Sequence, residues 1–277
     1  MPIPKCLHQI WFQGASKIPV KYKPAIQLWK QLHPDYTYYL WSEKSLKQLI
    51  WRNFAWMYDA WCKLPHMIQK IDLAKLCILY KYGGVYCDMD MTPLRNITSK
   101  LEGWDMVLSQ CDMDVFREWV SQFLGIPYFS QHHINNAFIG VVPRHACIGE
   151  ALYLAVHNGL LVDREDSMML HEIYTTLTCG PEILNQAYSQ LKDKSKVKIY
   201  PPDIFEPKLD ETTNEPLATP ETVVVHNSER TWVKQVKRWG AEDIAKWAYW
   251  LLVLILVVAI VIVLIWGLRR MRAAGAT

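Results

Sequence analysis

The sequence predicts an α/β domain with an open sheet, followed by a membrane-spanning helix near its C-terminal end. Three observations lead there. Segments with helical spacing alternate with short β-rich runs, as in Lys23–Leu32, His33-Pro34 and Asp35–Trp41. A second helical stretch, Ile71–Tyr82, runs into Gly-Gly and a short apolar strand that ends in two carboxylates, Asp88 and Asp90. Finally, Trp247–Leu268 is 22 residues without a charge, mostly Val, Ile and Leu, and about 20 helical residues span the hydrocarbon layer.

The stretch Tyr82–Asp90, YGGVYCDMD, organises the rest. Gly83 and Gly84 let the chain reverse after a helix, because glycine accepts positive φ at little steric cost. Val85 and Tyr86 favour extended backbone, which predicts Asp88 and Asp90 at the strand's C-terminal edge. Residues two apart on a strand share a side. Two carboxylates on one side make a hard oxygen site suited to Mg²⁺ or Mn²⁺ that also holds a diphosphate. In open α/β sheets such ligands sit beyond the carboxyl ends of strands. A bare D-x-D is weak evidence, and CDMD occurs twice, at Cys87–Asp90 and Cys111–Asp114. Only the first has the helix–Gly-Gly–strand lead-in.

That lead-in, IDLAKLCILYKYGGVYCDMD, resembles the sugar-nucleotide-binding core of D-x-D glycosyltransferases of family 32. Its members include fungal initiating mannosyltransferases, inositol-phosphorylceramide mannosyltransferases and animal α-1,4-galactosyltransferases. Further motifs agree: the opening IPKCLHQIW, the N-x-F strand at Asn136, the T-x-G-P segment at Thr178, and a final His226 followed by Thr231-Trp232. The resemblance implies a GT-A fold, a Rossmann-like domain with a mostly parallel central sheet over residues 1–232. It implies transfer of a hexose from a nucleotide diphosphate sugar to an acceptor hydroxyl, with retention. GDP-mannose is the first choice of donor; UDP-galactose, UDP-glucose and UDP-N-acetylglucosamine are alternatives. Asp88 and Asp90 are then the catalytic carboxylates, and Asp88, Asp90 and His226 the ligands of Mn²⁺ or Mg²⁺. His8, Trp11, Asp72, Lys75, Gly84, Asn136, Gly180 and Trp232 fall at donor-binding positions. Asp112 and Asp114 are acceptor-side candidates. Relatives carry D-x-x-R where this chain has Asp72 and Lys75, and lysine keeps the charge but loses the bidentate fork.

The residues themselves allow blander readings. His8 and Trp11 also fit packed strand aromatics, Asp72 and Lys75 a helix-face ion pair, and His226 a structural strand-end histidine. In Leu46–Leu64, Trp51, Phe54, Tyr58 and Trp61 fall on one helical face, which predicts a buried core face. Asp88–Leu94, DMDMTPL, also fits the D-x-D-x-T signature of haloacid-dehalogenase-type phosphatases. An inactive, membrane-tethered sugar-binding module is the third reading.

Composition narrows the classes. Of 30 Lys and Arg, three (Arg269, Arg270, Arg272) lie in a tail without acids, which leaves 27 bases against 27 acids elsewhere. A neutral body argues against nucleic acid as partner. The seven cysteines are scattered, odd in number and never form C-x-x-C, so free thiols in a reducing compartment are expected. Trp247, Tyr249, Trp250 and Trp266 mark two membrane interfaces, and Arg269-Arg270 stop the span. Pro2–Phe12 reads as a first core strand rather than a signal peptide. The expected organisation is therefore a catalytic domain at 1–232, a basic linker at 233–246, a transmembrane helix at 247–268 and a basic tail at 269–277. The expected placement is a tail anchor with the catalytic domain in the cytosol, a lumenal domain being the alternative, and a glycan, glycolipid or other membrane-associated acceptor.

Overall fold

A computed structural model describes residues 1–111, 133–161, 178–210, 212–213 and 215–227, all within one compact unit, Met1–Glu229. Asp112, Asp114, Trp232 and the expected span at 247–268 lie outside the described residues. Among the described residues no helix is long and apolar enough to cross a membrane.

A six-stranded sheet forms the centre. Its strands are β1 (Cys6–Ile10), β2 (Thr37–Trp41), β3 (Gly84–Cys87), β5 (Met106–Gln110), β6 (Ile134–Val141) and β7 (Val197–Tyr200), in the order β2-β1-β3-β6-β5-β7. The β1–β2, β1–β3 and β5–β7 pairs are parallel. β6 runs antiparallel to both its neighbours. The sheet is thus mostly parallel, with one reversed strand at its middle. That reversal matters, because it brings the start of β6 to the end of the sheet where β1 and β3 finish.

Side chains alternate across the sheet with the period of two that extended backbone imposes. Tyr86, Leu108 and Ile139 pack on one face against α2 (Glu43–Asn53), α3 (Ala55–Lys63), α4 (Met67–Tyr82), α6 (Ala146–Leu161) and α7 (Pro181–Gln190). Their neighbours Val85, Val107 and Phe138 join the other core with Trp29 and Phe205. That face carries α1 (Lys23–Leu32), the short helices α5 (Thr98–Leu101) and α8 (Pro202–Phe205), and a two-stranded ribbon of β4 (Met91–Pro93) and β8 (Val224–His226). Trp29 of α1, fully buried, ties the ribbon down by donating its Nε1–H to the Met91 carbonyl at 3.0 Å.

Local signals explain several boundaries. Ser42 caps α2, its hydroxyl and that of Ser45 bonding each other's backbone N–H. Pro181 opens α7, where its missing N–H costs nothing. The aromatic region, however, is two helices rather than one. The chain breaks at Phe54 (φ −138°), so Phe54 and Trp61 enter the core while Trp51 stays 61% exposed. All seven cysteines are free.

Gly83 and Gly84 do what the turn requires, at φ +62° and +89°. Gly84 is buried where β3 meets β1, and a Cβ there would stand 2.6 Å from the Cys6 carbonyl oxygen. It therefore serves strand packing; a donor has no access to it. Gly84→Ala is expected to destabilise the domain by at least about 1–3 kcal/mol from backbone strain alone, and more from the clash. Thermal unfolding checks this, and an unchanged midpoint would contradict the close approach of β1 and β3.

Candidate active site

The D-x-D pair does not sit on the strand. β3 ends at Cys87, and Asp88–Asp90 form the turn that links it to β4. Two backbone bonds shape that turn: Asp88 donates its N–H to the Ala137 carbonyl of β6 at 2.9 Å, and Met91 donates to the Asp88 carbonyl at 3.2 Å. Met89 points into the protein, 7% exposed. With Met89 turned inward, both carboxylates face outward together. The two-residue spacing predicts the shared side correctly, but the turn and the inward Met89 produce it.

β8 supplies the third group. It pairs antiparallel with β4, with His226 opposite Met91, and Asn227 donates its N–H to the Asp90 carbonyl at 3.0 Å. Ligand atoms of Asp88, Asp90 and His226 then lie within 4.8 Å of one another, and His226 Nε2 is 3.4 Å from Asp90 Oδ1. Two carboxylates and one imidazole form a set that suits Mn²⁺, with Mg²⁺ a harder alternative that prefers oxygen alone. The Tyr86 hydroxyl donates to Asp88 Oδ1 at 2.7 Å, and Gln9 donates to the Asp88 backbone carbonyl at 3.1 Å. Tyr38 in turn donates to Gln9 at 2.7 Å.

Beneath the carboxylates lies a buried polar cluster. Lys75 Nζ stands 3.0 Å from Asp72 Oδ1, 3.5 Å from Asp88 Oδ1 and 3.2 Å from the Asn136 carbonyl. An ammonium has three N–H donors, and these three acceptors use them all. Lys75 is 2% exposed. It therefore has no N–H left for a donor sugar or phosphate and acts as the counter-ion of Asp72 and Asp88. Asn136 donates from Nδ2 to Asp72 Oδ1 at 3.1 Å. Gly180 is buried at the N-cap of α7, and its segment is tied to the core: Gln69 of α4 donates to Thr178 at 2.9 Å, and Asn185 clamps α7 to Ile134 at the start of β6.

His8 belongs to the core instead. It is 1% exposed, its Nδ1 accepts from Trp41 Nε1 at 3.2 Å, and its Nε2 bonds the Gly83 carbonyl at 3.0 Å. Burial lowers its pKa to about 4, so it is a neutral packing histidine with no polar atom to offer a donor. Trp11 differs. Its Nε1 is buried without a hydrogen-bond partner among the described residues, at the end of β1 where Gln9 reaches Asp88.

One site residue escaped sequence reasoning. Glu206, 7% exposed and just past α8, places Oε2 3.1 Å from His226 Nδ1 and accepts a hydrogen bond from Asn135. Its only sequence signal is a single acid between Phe205 and Pro207 in an apolar connection.

Electrostatics follow from this crowding. Burial raises the Asp88 pKa and Asp90 adds to the effect, while Lys75 and the Tyr86 hydrogen bond oppose it. Burial likewise raises Asp72 against the pull of Lys75. For Lys75 burial works against the charge, yet Asp88 and Asp72 leave its pKa raised overall. His226 is also penalised by burial, but its bonds to Asp90 and Glu206 hold its pKa well above 6.5. Without a metal, His226 is thus an imidazolium near neutral pH, and a metal must displace that proton. Apparent Mn²⁺ affinity should keep rising with pH above neutrality, up to about tenfold per unit below the His226 pKa. The stabilising contribution of the imidazolium runs the other way, being complete below the unfolded pKa and lost as pH rises through the raised folded value. Calorimetric Mn²⁺ titrations from pH 6 to 8.5 check the first statement, and an affinity flat above pH 6.5 would contradict it.

With the geometry in place, comparison with known proteins is informative. Residues 19–114 match the glycosyltransferase sugar-binding region containing DXD motif. The match covers residues 19–114 of the 277 in the chain. Inositol phosphoceramide mannosyltransferase 3 of Schizosaccharomyces pombe is 38% identical over 89 residues, 32% of this chain and 24% of the relative. Mannosyl phosphorylinositol ceramide synthase CSH1 of Saccharomyces cerevisiae is 34% identical over 147 residues, 52% of this chain and 32% of the relative. The initiation-specific alpha-1,6-mannosyltransferase of Candida albicans is 30% identical over 114 residues, 39% of this chain and 30% of the relative. The chain thus spans between 24% and 32% of the length of these relatives. Among solved structures, the PaToxG glycosyltransferase aligns at 18% identity and a TM-score of 0.46, over 68% of this chain and 69% of that chain. The DXD region contains Asp72, Lys75, Asp88 and Asp90 and stops before Asn136, Gly180, Glu206 and His226. The fold alone brings those later residues to it.

Proposed function

We propose that the chain is a metal-dependent, retaining hexosyltransferase that uses a nucleotide diphosphate sugar, GDP-mannose first among donors. The convergence of Asp88, Asp90 and His226 at the sheet edge, within a DXD glycosyltransferase region, carries this reading. Mannose is favoured because the relatives quoted above are, by name, enzymes that handle mannose or mannosyl groups. Asp88, Asp90 and His226 would hold Mn²⁺ or Mg²⁺. When bound, the metal neutralises charge on the departing diphosphate.

The chain's own residues have distinct tasks. Tyr86 and Lys75 fix Asp88 in its ligand orientation. Asp72 and Asn136, linked to each other, offer their remaining hydrogen-bonding capacity to the hydroxyls of the sugar. Asn136 can donate and accept, which suits a hydroxyl that does both. Trp11, at the end of β1, and Gly180, at the N-cap of α7, are assigned to the donor through the family resemblance. Trp232 is assigned to the diphosphate and Asp112 and Asp114 to the acceptor side through the family resemblance. So is retention, since no nucleophile is evident. The uncharged run at 247–268 is read as a membrane anchor, which favours a glycolipid or other membrane-associated acceptor and a cytosolic catalytic domain.

The test is nucleotide release by the full chain in detergent, with Mn²⁺ and a panel of GDP- and UDP-sugars. Metal-dependent release from one donor is expected. Silence with every donor, together with hydrolysis of a generic phosphate ester, would instead support the D-x-D-x-T phosphatase.

A further inference from the structure

We infer that Glu206 is a positioning residue that presents His226 to the metal and that Asn135 holds Glu206 in place. The inference rests on the reading of Asp88, Asp90 and His226 as metal ligands. A ligating imidazole must keep its proton on one nitrogen and turn the other toward the ion. Which nitrogen is free is decided by the hydrogen bond the other one makes. Glu206 Oε2 sits 3.1 Å from His226 Nδ1, while Nε2 faces Asp90 at 3.4 Å. A carboxylate only accepts, so Glu206 keeps a hydrogen on Nδ1, and Nε2, which faces Asp90, is the nitrogen left to give up its proton and turn its lone pair to a metal.

Glu206 is itself locked. Its N–H donates to the Pro202 carbonyl at 2.7 Å, and the preceding Phe205 stacks on Phe138 of β6 with ring centroids 4.1 Å apart and planes 16° from parallel. Asn135 donates from Nδ2 to the same Oε2 and accepts the Asn136 N–H on Oδ1 at 2.8 Å. Oε1 has no hydrogen-bond partner among the described residues and is closed off from solvent. A buried carboxylate with one unbonded oxygen is costly to keep, and in a purely structural contact an apolar side chain would avoid that cost. The chain Asn136–Asn135–Glu206–His226 also joins the strand assigned to the sugar with the ligand assigned to the metal.

Mn²⁺ binding by calorimetry to the full chain, with Asp90→Asn as a non-binding reference, tests this. Glu206→Ala should weaken Mn²⁺ binding by roughly 10- to 100-fold. Glu206→Gln, which keeps the shape and an acceptor oxygen, should lose less and keeps the test valid if the alanine variant does not fold. The tautomer gives a readout that a purely structural role would not move. In Mg²⁺-loaded protein the His226 ¹⁵N shifts should report hydrogen on Nδ1 and ligation through Nε2, kept in Glu206→Gln and mixed between the two nitrogens in Glu206→Ala, which has no acceptor. Folded Glu206 variants with wild-type Mn²⁺ affinity would overturn this inference alone and leave the metal site intact. Absence of Mn²⁺ binding to the wild-type chain would overturn the metal site and this inference with it.

Discussion

Lys75→Met is expected to cost about 3–5 kcal/mol of stability, the range seen when one partner of a buried ion pair is removed. Two carboxylates depend on this one ammonium. Asp72 has a side chain only 6% exposed, and Asp88 has one face in the same cluster. Methionine fills the stem of lysine and lacks only an atom at Nζ, so the loss reports mainly the charge. For a domain of this size the midpoint of thermal unfolding should fall by roughly 10 °C. Adding Asp72→Asn should recover part of that loss, because the most deeply buried orphan charge is then gone. A single variant as stable as wild type would contradict the account of the cluster. Lys75→Arg is no rescue here: a guanidinium brings five donors to three acceptors in a pocket shaped for a tetrahedral ammonium.

Asp90→Asn is expected to reduce metal-dependent sugar transfer by about a thousandfold, equivalent to several kcal/mol of lost charge stabilisation at the diphosphate. In the metal-free protein the midpoint should fall less than in Lys75→Met, because the lost Asp90 contact with His226 is offset by relief of repulsion from Asp88. The variant removes one of two neighbouring negative charges, and His226 keeps its bond to Glu206 at 3.1 Å. The pair of results separates the two acidic roles. Asp72 matters to folding through Lys75, whereas Asp90 matters to the metal. Transfer rates and thermal midpoints on the same preparations check this, and a fully active Asp90→Asn would remove the carboxylate pair from the mechanism.

What the sequence revealed about this site depended on how local each signal was. The helix–Gly-Gly–strand unit was legible because its glycines, apolar run and carboxylates are consecutive, and α4, β3 and the Asp pair follow it closely. Strand periodicity put Asp88 and Asp90 at the C-terminal edge of β3; they sit in the turn immediately past it, and what aligns them is Met89 turning inward and a bond to Ala137 in β6. His226 was legible through the final His and Trp, but its position depends on pairing between β4 and β8, which no local pattern encodes. Glu206 was not legible, since a lone acid before a proline looks like an exposed turn. The stacking of Phe205 on Phe138 and the contacts to Asn135 and His226 turn it inward. The same limit explains Lys75 and His8. Their spacing placed them near the site, but whether their polar atoms face a ligand or the protein depends on partners from distant strands. Trp51 shows it from the other side, because a break at Phe54 turned an expected core position outward.

Mn²⁺ electron paramagnetic resonance on the full chain, titrated with GDP present, tests the central claim most directly. The account predicts one bound Mn²⁺ per chain, with that binding lost in Asp88→Asn, Asp90→Asn and His226→Ala. Wild-type chain that leaves Mn²⁺ free in solution, or variants that bind it as wild type does, would contradict it.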